Sequence, residues 1–212
     1  MTSFAWNDGE SETSKLLESD KIFTNRWSTD CNPTTGSIVN KQGLRLATFY
    51  YPAKGQSKGT IFALHGLGAH THWQYMSYPY NMYKNSWVEH FNESGYDVLA
   101  YDHQSNGLSE DLIPRTRCHI NRFDDLIDDA LQIYYEYKKT VKSSTKIYVL
   151  GVSMGGNIAA HMAVRLGEEL DGLVLVSLAG FEKTKLDRQK EITNIFSDII
   201  CFREHRCYRS KR

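Results

Sequence analysis

The sequence carries no net charge: 25 Lys and Arg balance 25 Asp and Glu in 212 residues. A neutral chain has no overall field to hold a polyanion, which argues against a general nucleic-acid-binding role. Long hydrophobic runs are also missing. The most apolar stretch, Leu173 to Ala179, falls far short of the roughly 20 residues that a membrane-spanning helix needs. Residues 1–20 lack the basic start and apolar middle of a secretory signal, carrying Asp8, Glu10, Glu12, Glu18 and Asp20 against Lys15 alone. Cysteine is scarce: Cys31, Cys118, Cys201 and Cys207 form no C-x-x-C pair. Free thiols in a reducing compartment are the expectation, with a cytoplasmic location and the membrane periphery as the alternative. Cys201, His205 and Cys207 lie close together in a basic tail, but three ligands at this spacing are too few to assign zinc, so no metal site is expected. Hydrophobic residues at 41% and charged residues at 24% are ordinary globular values, which exclude collagen-like, coiled-coil and wholly disordered readings.

The neutrality hides an asymmetry. Residues 1–20 sum to −4 and residues 203–212 to +4, the pattern of two solvated tails. The expected organisation is a flexible acidic segment over 1–20, a folded body over 36–180 and a divergent helical, basic tail over 181–212. No internal repeat is present. Ser37 to Pro52 reads as a hairpin about Lys41-Gln42-Gly43. Thr60–Leu64, Tyr96–Tyr101, Lys146–Leu150 and Leu173–Leu178 read as buried strands. Ser86–Ser94 reads as a helix with Glu89 in a capping box and Gly95 as its stop. Asn121 is the expected cap of the strongest helix, whose apolar face is Phe123, Leu126, Ile127, Ala130, Leu131, Tyr134 and Tyr137. Asp124, Asp125, Asp128 and Asp129 then read as its solvated start. Asn157–Leu166 is a further helix, stopped by Gly167. Strands and helices alternate from residue 60 to 178, which predicts right-handed crossovers and a mostly parallel sheet with helices on both faces. Residues 69–84 fit no element. Their aromatics Trp73, Tyr75, Tyr78, Tyr80 and Tyr83 read as packing in a long surface segment, with contact to an acyl chain or a membrane surface as the alternative.

The chemistry gathers at one turn. Gly151-Val152-Ser153-Met154-Gly155 is G-x-S-x-G between a buried strand and a helix. A serine at the tip of so tight a turn takes strained backbone angles, and side chains at Gly151 or Gly155 would collide with the neighbouring strand and helix. The turn holds the hydroxyl above the strand end, at a helix N-terminus that favours developing negative charge. Ser153 is the candidate nucleophile and the Met154 amide one oxyanion donor. The plainer reading is a glycine-rich turn whose serine merely caps. His65-Gly66-Leu67-Gly68 follows the earlier buried strand. The Leu67 amide is the candidate second donor, Gly66 lets the backbone approach substrate, and His65 reads as structural. Dinucleotide binding fails because Gly66-x-Gly68-x-x-Thr71 misses the third glycine, and no P-loop is present.

A third motif carries a resemblance. Asp102-His103-Gln104-Ser105-Asn106-Gly107-Leu108-Ser109 resembles the D-x-x-G-x-G-x-S loop of monoacylglycerol lipases and lysophospholipases, the serine aminopeptidase S33-like hydrolases. The His65 and Ser153 motifs are similar to that family's in order and spacing, over about residues 36–180. Ser105 stands where the family usually has glycine, which should alter that loop slightly without touching chemistry. The resemblance implies an α/β-hydrolase fold and a serine hydrolase without cofactor. Its partners would be small molecules: a lysophospholipid, a monoacylglycerol or another single-chain acyl ester.

Such a serine needs an acid and a histidine later in the chain, in the order Ser, Asp/Glu, His. The family places them after a seventh and an eighth strand, and only His161 and His205 follow Ser153. His161 lies eight residues along a helix, about 12 Å up its axis, and reads as packing. His205 lies in the basic tail, and no downstream carboxylate follows a second strand. Glu182–Phe202 reads as a helix. The chain therefore reads as an incomplete hydrolase lacking the last two strands, with its sixth strand an exposed apolar edge unless the tail covers it. A serine without its histidine retains roughly 10³–10⁴ over water from the oxyanion hole. The alternative to an active esterase is an inactive relative that binds lipid or a partner. Oligomeric state is not legible.

Overall fold

The computed structural model describes residues 30–31, 33–78, 81–178 and the backbone of 200–201. Strands β1 (Thr34–Val39) and β2 (Arg45–Tyr51) form an antiparallel hairpin. Its turn is held by Asn40, whose side-chain oxygen accepts from the Gln42 and Leu44 amides at 3.0 and 2.9 Å. β3 (Thr60–Leu64), β4 (Asp97–Tyr101), β5 (Ile147–Val152) and β6 (Gly172–Val176) follow. With β7 (Ile200–Cys201) they make one sheet in the order β1-β2-β4-β3-β5-β6-β7. Every pairing from β4 onward in that order is parallel, while β2 meets both β1 and β4 antiparallel.

The alternation along each central strand divides the core in two. Phe62, Leu64, Leu99, Tyr101, Ile147, Val149, Leu173 and Leu175 point to one face. There they meet α3 (Phe123–Thr140) and α4 (Met154–Leu166). Ala63, Val98, Ala100 and Leu150 point to the other, against α1 (Thr71–Tyr75) and α2 (Trp87–Glu93). A period-2 strand buried on both faces requires this split. The expected mostly parallel sheet with helices on both faces is therefore the one found. No helix among the described residues is long and apolar enough to cross a membrane.

The α2 start follows its sequence signal: the Glu89 amide donates to Ser86 Oγ at 3.0 Å, and the Asn85 amide donates back to Glu89 Oε2 at 2.6 Å. Three expectations are corrected. Asn121 does not cap α3. The cap position is Arg122, which makes no side-chain cap bond, and the Asp124 and Asp125 carboxylates of the first turn meet the dipole instead. The acidic cluster is not uniformly solvated either. Asp124 and Asp128 hold Arg165 of α4 at 2.9 and 2.7 Å. Asp129 is buried and accepts both Asn40 Nδ2 bonds, at 3.0 and 3.2 Å. Helical periodicity turns it inward, and Asn40 is too distant in sequence to be read as its partner. Third, Ile200 and Cys201 are strand, not helix: they lie parallel to Val174 and Leu175. The outer edge of β6 is thus paired over those two residues. The rest of the expected Glu182–Phe202 helix lies outside the described residues, as do the segment 1–20 and the basic tail.

Candidate active site

β5 ends at Val152 and α4 begins at Met154, so the whole turn is the single residue Ser153. Its backbone sits at φ 53° and ψ −116°, a region costing a non-glycine residue about 1–3 kcal/mol and kept only where the surroundings over-determine it. The surroundings do so. The Ser153 amide donates to Val176 O of β6 at 2.9 Å. Its carbonyl accepts from the Gly156 and Asn157 amides at 3.0 and 3.2 Å. A Cβ on Gly151 would run into the Gly155 carbonyl, and one on Gly155 into the Leu64 and His65 carbonyls. The two glycines let α4 lie against β5 and β3. Ser153 makes no side-chain capping bond, unlike a serine kept to cap the helix. The Met154 amide is the first N–H of α4, among those that have no intrahelical acceptor.

The loop after β3 comes to the same point. A Cβ on Gly66 would lie 3.3 Å from Ser153 Cβ. His65, fully buried, accepts from the His103 amide through Nε2 at 3.0 Å. That bond fixes the other ring nitrogen as the proton carrier, so Nδ1 donates to Gly66 O at 2.9 Å. The Gly66–Leu67 peptide is planar and trans, so with its carbonyl turned to His65 its N–H points the opposite way. Leu67 is 70% exposed, and its amide donates to no acceptor among the described residues. His103 in turn donates from Nε2 to His65 O at 3.0 Å. Burial holds both imidazoles below the usual histidine range, with His103 well below, so both are neutral near pH 7.

The loop after β4 is built on Asp102. Its carboxylate accepts from the Thr71 and Leu108 amides, each at 2.8 Å. A Cβ on Gly107 would overlap that carboxylate. Ser105 takes φ 59°, keeping a glycine-like backbone, and its Oγ accepts from the Leu112 amide at 3.0 Å.

The structure thus brings Ser153, Met154, Gly66 and Leu67 to one place, with Gly151, Gly155 and His65 shaping it. Among the described residues no histidine is hydrogen-bonded to the Ser153 hydroxyl. His72 is buried, bonded to the Tyr51 hydroxyl at 3.1 Å and held down to about 4 by burial. His161 packs edge-on against Phe123 with ring centres 6.0 Å apart. A short second strand does follow β6. Glu204 and His205, the first carboxylate and histidine after it in sequence, lie outside the described residues. Sequence reasoning missed the His103–His65 exchange and the contact of Gln74 with Gly66. The first had no spacing signal, and the second sits in the aromatic stretch that gave no periodicity. Among the described residues no group of three His, Cys, Asp or Glu is placed to hold a metal ion.

Residues 55–200 match the family described as serine aminopeptidase, S33. The chain is 30% identical to mouse monoglyceride lipase over 142 residues, covering 66% of this chain and 41% of the lipase. It is 33% identical to a probable lysophospholipase L2 of Haemophilus influenzae over 87 residues, covering 41% and 27% respectively. Among solved structures, a soluble variant of Saccharomyces cerevisiae monoglyceride lipase superposes with a TM-score of 0.57 at 16% identity, over 80% of this chain and 52% of that one. A thermostable carboxyl esterase of Bacillus coagulans superposes with a TM-score of 0.53 at 18% identity, over 77% and 51%. The chain spans less than half the length of the curated relatives it matches.

Proposed function

The chain belongs to the serine aminopeptidase S33 family of α/β-hydrolases, and from that premise we propose that it is a serine hydrolase of the lysophospholipase and monoacylglycerol lipase type. The substrate would be a single-chain acyl ester, in keeping with the names of its relatives. The observation that carries the reading is the strained Ser153 backbone held beside Gly66. Ser153 Oγ forms a bond to the ester carbonyl carbon, and the negative charge that develops on the carbonyl oxygen meets the Leu67 and Met154 amides. The carbon–oxygen bond to the alcohol then breaks, and the serine proton leaves with the alcohol. Water cleaves the acyl-serine, releases the fatty acid and restores the hydroxyl. No cofactor enters this cycle.

A second reading has its own support: three of the described histidines, His65, His72 and His103, are buried with their rings engaged in hydrogen bonds. On that reading the fold binds an acyl ester or a partner without turning it over. A fluorophosphonate probe applied to the folded chain separates the two. Labelling that vanishes in Ser153→Ala supports the hydrolase. A folded wild-type chain that takes no label overturns it.

A further inference from the structure

The loop beside Ser153 contains two consecutive peptides with four polar ends. The His65 carbonyl accepts from His103 Nε2 at 3.0 Å. The Gly66 carbonyl accepts from His65 Nδ1 at 2.9 Å and from the Ala69 amide at 3.3 Å. The Gly66 amide donates to Gln74 Oε1 at 3.4 Å. Only the fourth end, the Leu67 N–H, has no acceptor among the described residues. Gln74 is therefore what completes the immobilisation of the peptide preceding the oxyanion donor.

We infer that Gln74 is a positioning residue for the Leu67 oxyanion donor, an inference that rests on the Ser153 reading above. The helix that carries it is built for aim. α1 has five residues, too few to be stable alone. It is pinned at three points: the Thr71 amide to Asp102 Oδ1 at 2.8 Å, the His72 ring to Tyr51 at 3.1 Å, and the Tyr75 hydroxyl to Leu64 O at 2.7 Å. Leu64 directly precedes His65, so the last pin ties the helix to the root of the loop it positions. The outcome is a close meeting: a Cβ at Gly66 would lie 3.5 Å from Gln74 Oε1 and 3.3 Å from Ser153 Cβ. The Gln74 Nε2 protons make no bond to the described residues. The acceptor oxygen is therefore the part of the side chain the loop uses.

The test compares Gln74→Met, which keeps length and loses the acceptor, with Gln74→Glu, which keeps an acceptor oxygen at similar reach. Gln74→Ala serves as a second loss variant should the first fail to fold. Two readouts are taken on the whole chain: hydrogen exchange at the Gly66 amide, and the second-order rate of fluorophosphonate labelling at Ser153. Gln74→Met should exchange Gly66 roughly tenfold faster and label roughly tenfold slower, the size of one hydrogen bond, with the melting temperature lowered by no more than about 5 °C. Gln74→Glu should restore both to within about threefold. Unchanged exchange in a folded loss variant overturns the inference, as does a Glu variant as impaired as the Met one. If the wild-type chain takes no label, the Ser153 reading falls, and the Gly66 exchange comparison still decides the role of Gln74.

Discussion

Gly155 shows how little freedom a single position has at the Ser153 turn. A Cβ there would strike the carbonyls of Leu64 and His65, both backbone atoms of the neighbouring strand and loop. Backbone cannot swing aside as a flexible side chain can, so Gly155→Ala should push α4 away from β3. We expect a loss of about 3 kcal/mol or more in urea unfolding, at the upper end of single substitutions. A loss under about 1 kcal/mol would mean that the helix is not wedged as closely as the carbonyl positions require. Asp129 makes a second residue-scale prediction. It is buried against Asn40, and desolvation raises its carboxyl from 3.8 to about 7. The folded chain therefore holds this proton more tightly than the unfolded chain. The contribution is fully present below pH ~4 and is lost as pH rises through about 7. Replacing Asp129 by Asn, which does not titrate, should flatten the fall in unfolding free energy between pH 5 and pH 8. Equal pH slopes in wild type and Asp129→Asn would show that the carboxyl does not titrate late.

At the scale of elements, α3 and α4 are joined by Arg165 reaching back to Asp124 and Asp128. All three side chains are more than a third exposed, so solvent screens the charges and the apolar contacts between the helices dominate. Arg165→Ala should therefore cost less than about 1 kcal/mol, and the cost should shrink further in high salt. A loss that is large and salt-independent would show that the pair is sealed from water. The same helix pair marks where the sequence was readable. The apolar periodicity placed α3 because its buried positions Leu126, Ile127, Ala130, Tyr134 and Tyr137 recur along one face. The short continuous apolar runs placed β3 and β4 almost to the residue. The start of α4 was set three residues late, because Met154, Gly155 and Gly156 look like turn residues. Their glycines are there for close approach to β3 and β5, a tertiary demand that local propensity does not carry. α1 was illegible for a related reason: five residues cannot show a helical period, and its pins to Asp102, Tyr51 and Leu64 come from other elements. The candidate site divides the same way. Ser153, Gly66 and Leu67 lie within short motifs and could be named. His103 and Gln74 act through contacts between elements.

Across the whole molecule, the two apolar layers meet at the centre of the sheet. β3 has β4 and β5 as neighbours, and its residues alternate between the two cores. Opening it means breaking pairings on both sides and exposing both layers. β1 lies at one edge and shows only Ile38 as a buried strand residue. β6 lies near the other edge, where its outer neighbour supplies just two paired residues. Stability should therefore grade outward from β3, because local opening costs as much as the contacts it breaks. Native-state hydrogen exchange would read this directly. Amides of β3 and β5 that face each other should exchange only through global unfolding. Those joining β6 to β7 and those of β1 should exchange through cheaper partial openings that depend weakly on urea. The Ser153 amide, bonded to Val176 O at the end of β6, would then open with the β6 edge, and the Ser153 turn would be the least secure part of the candidate site. Should the β6 and Ser153 amides exchange as slowly as those of β3, the edge of the sheet is held by contacts stronger than its two paired residues provide.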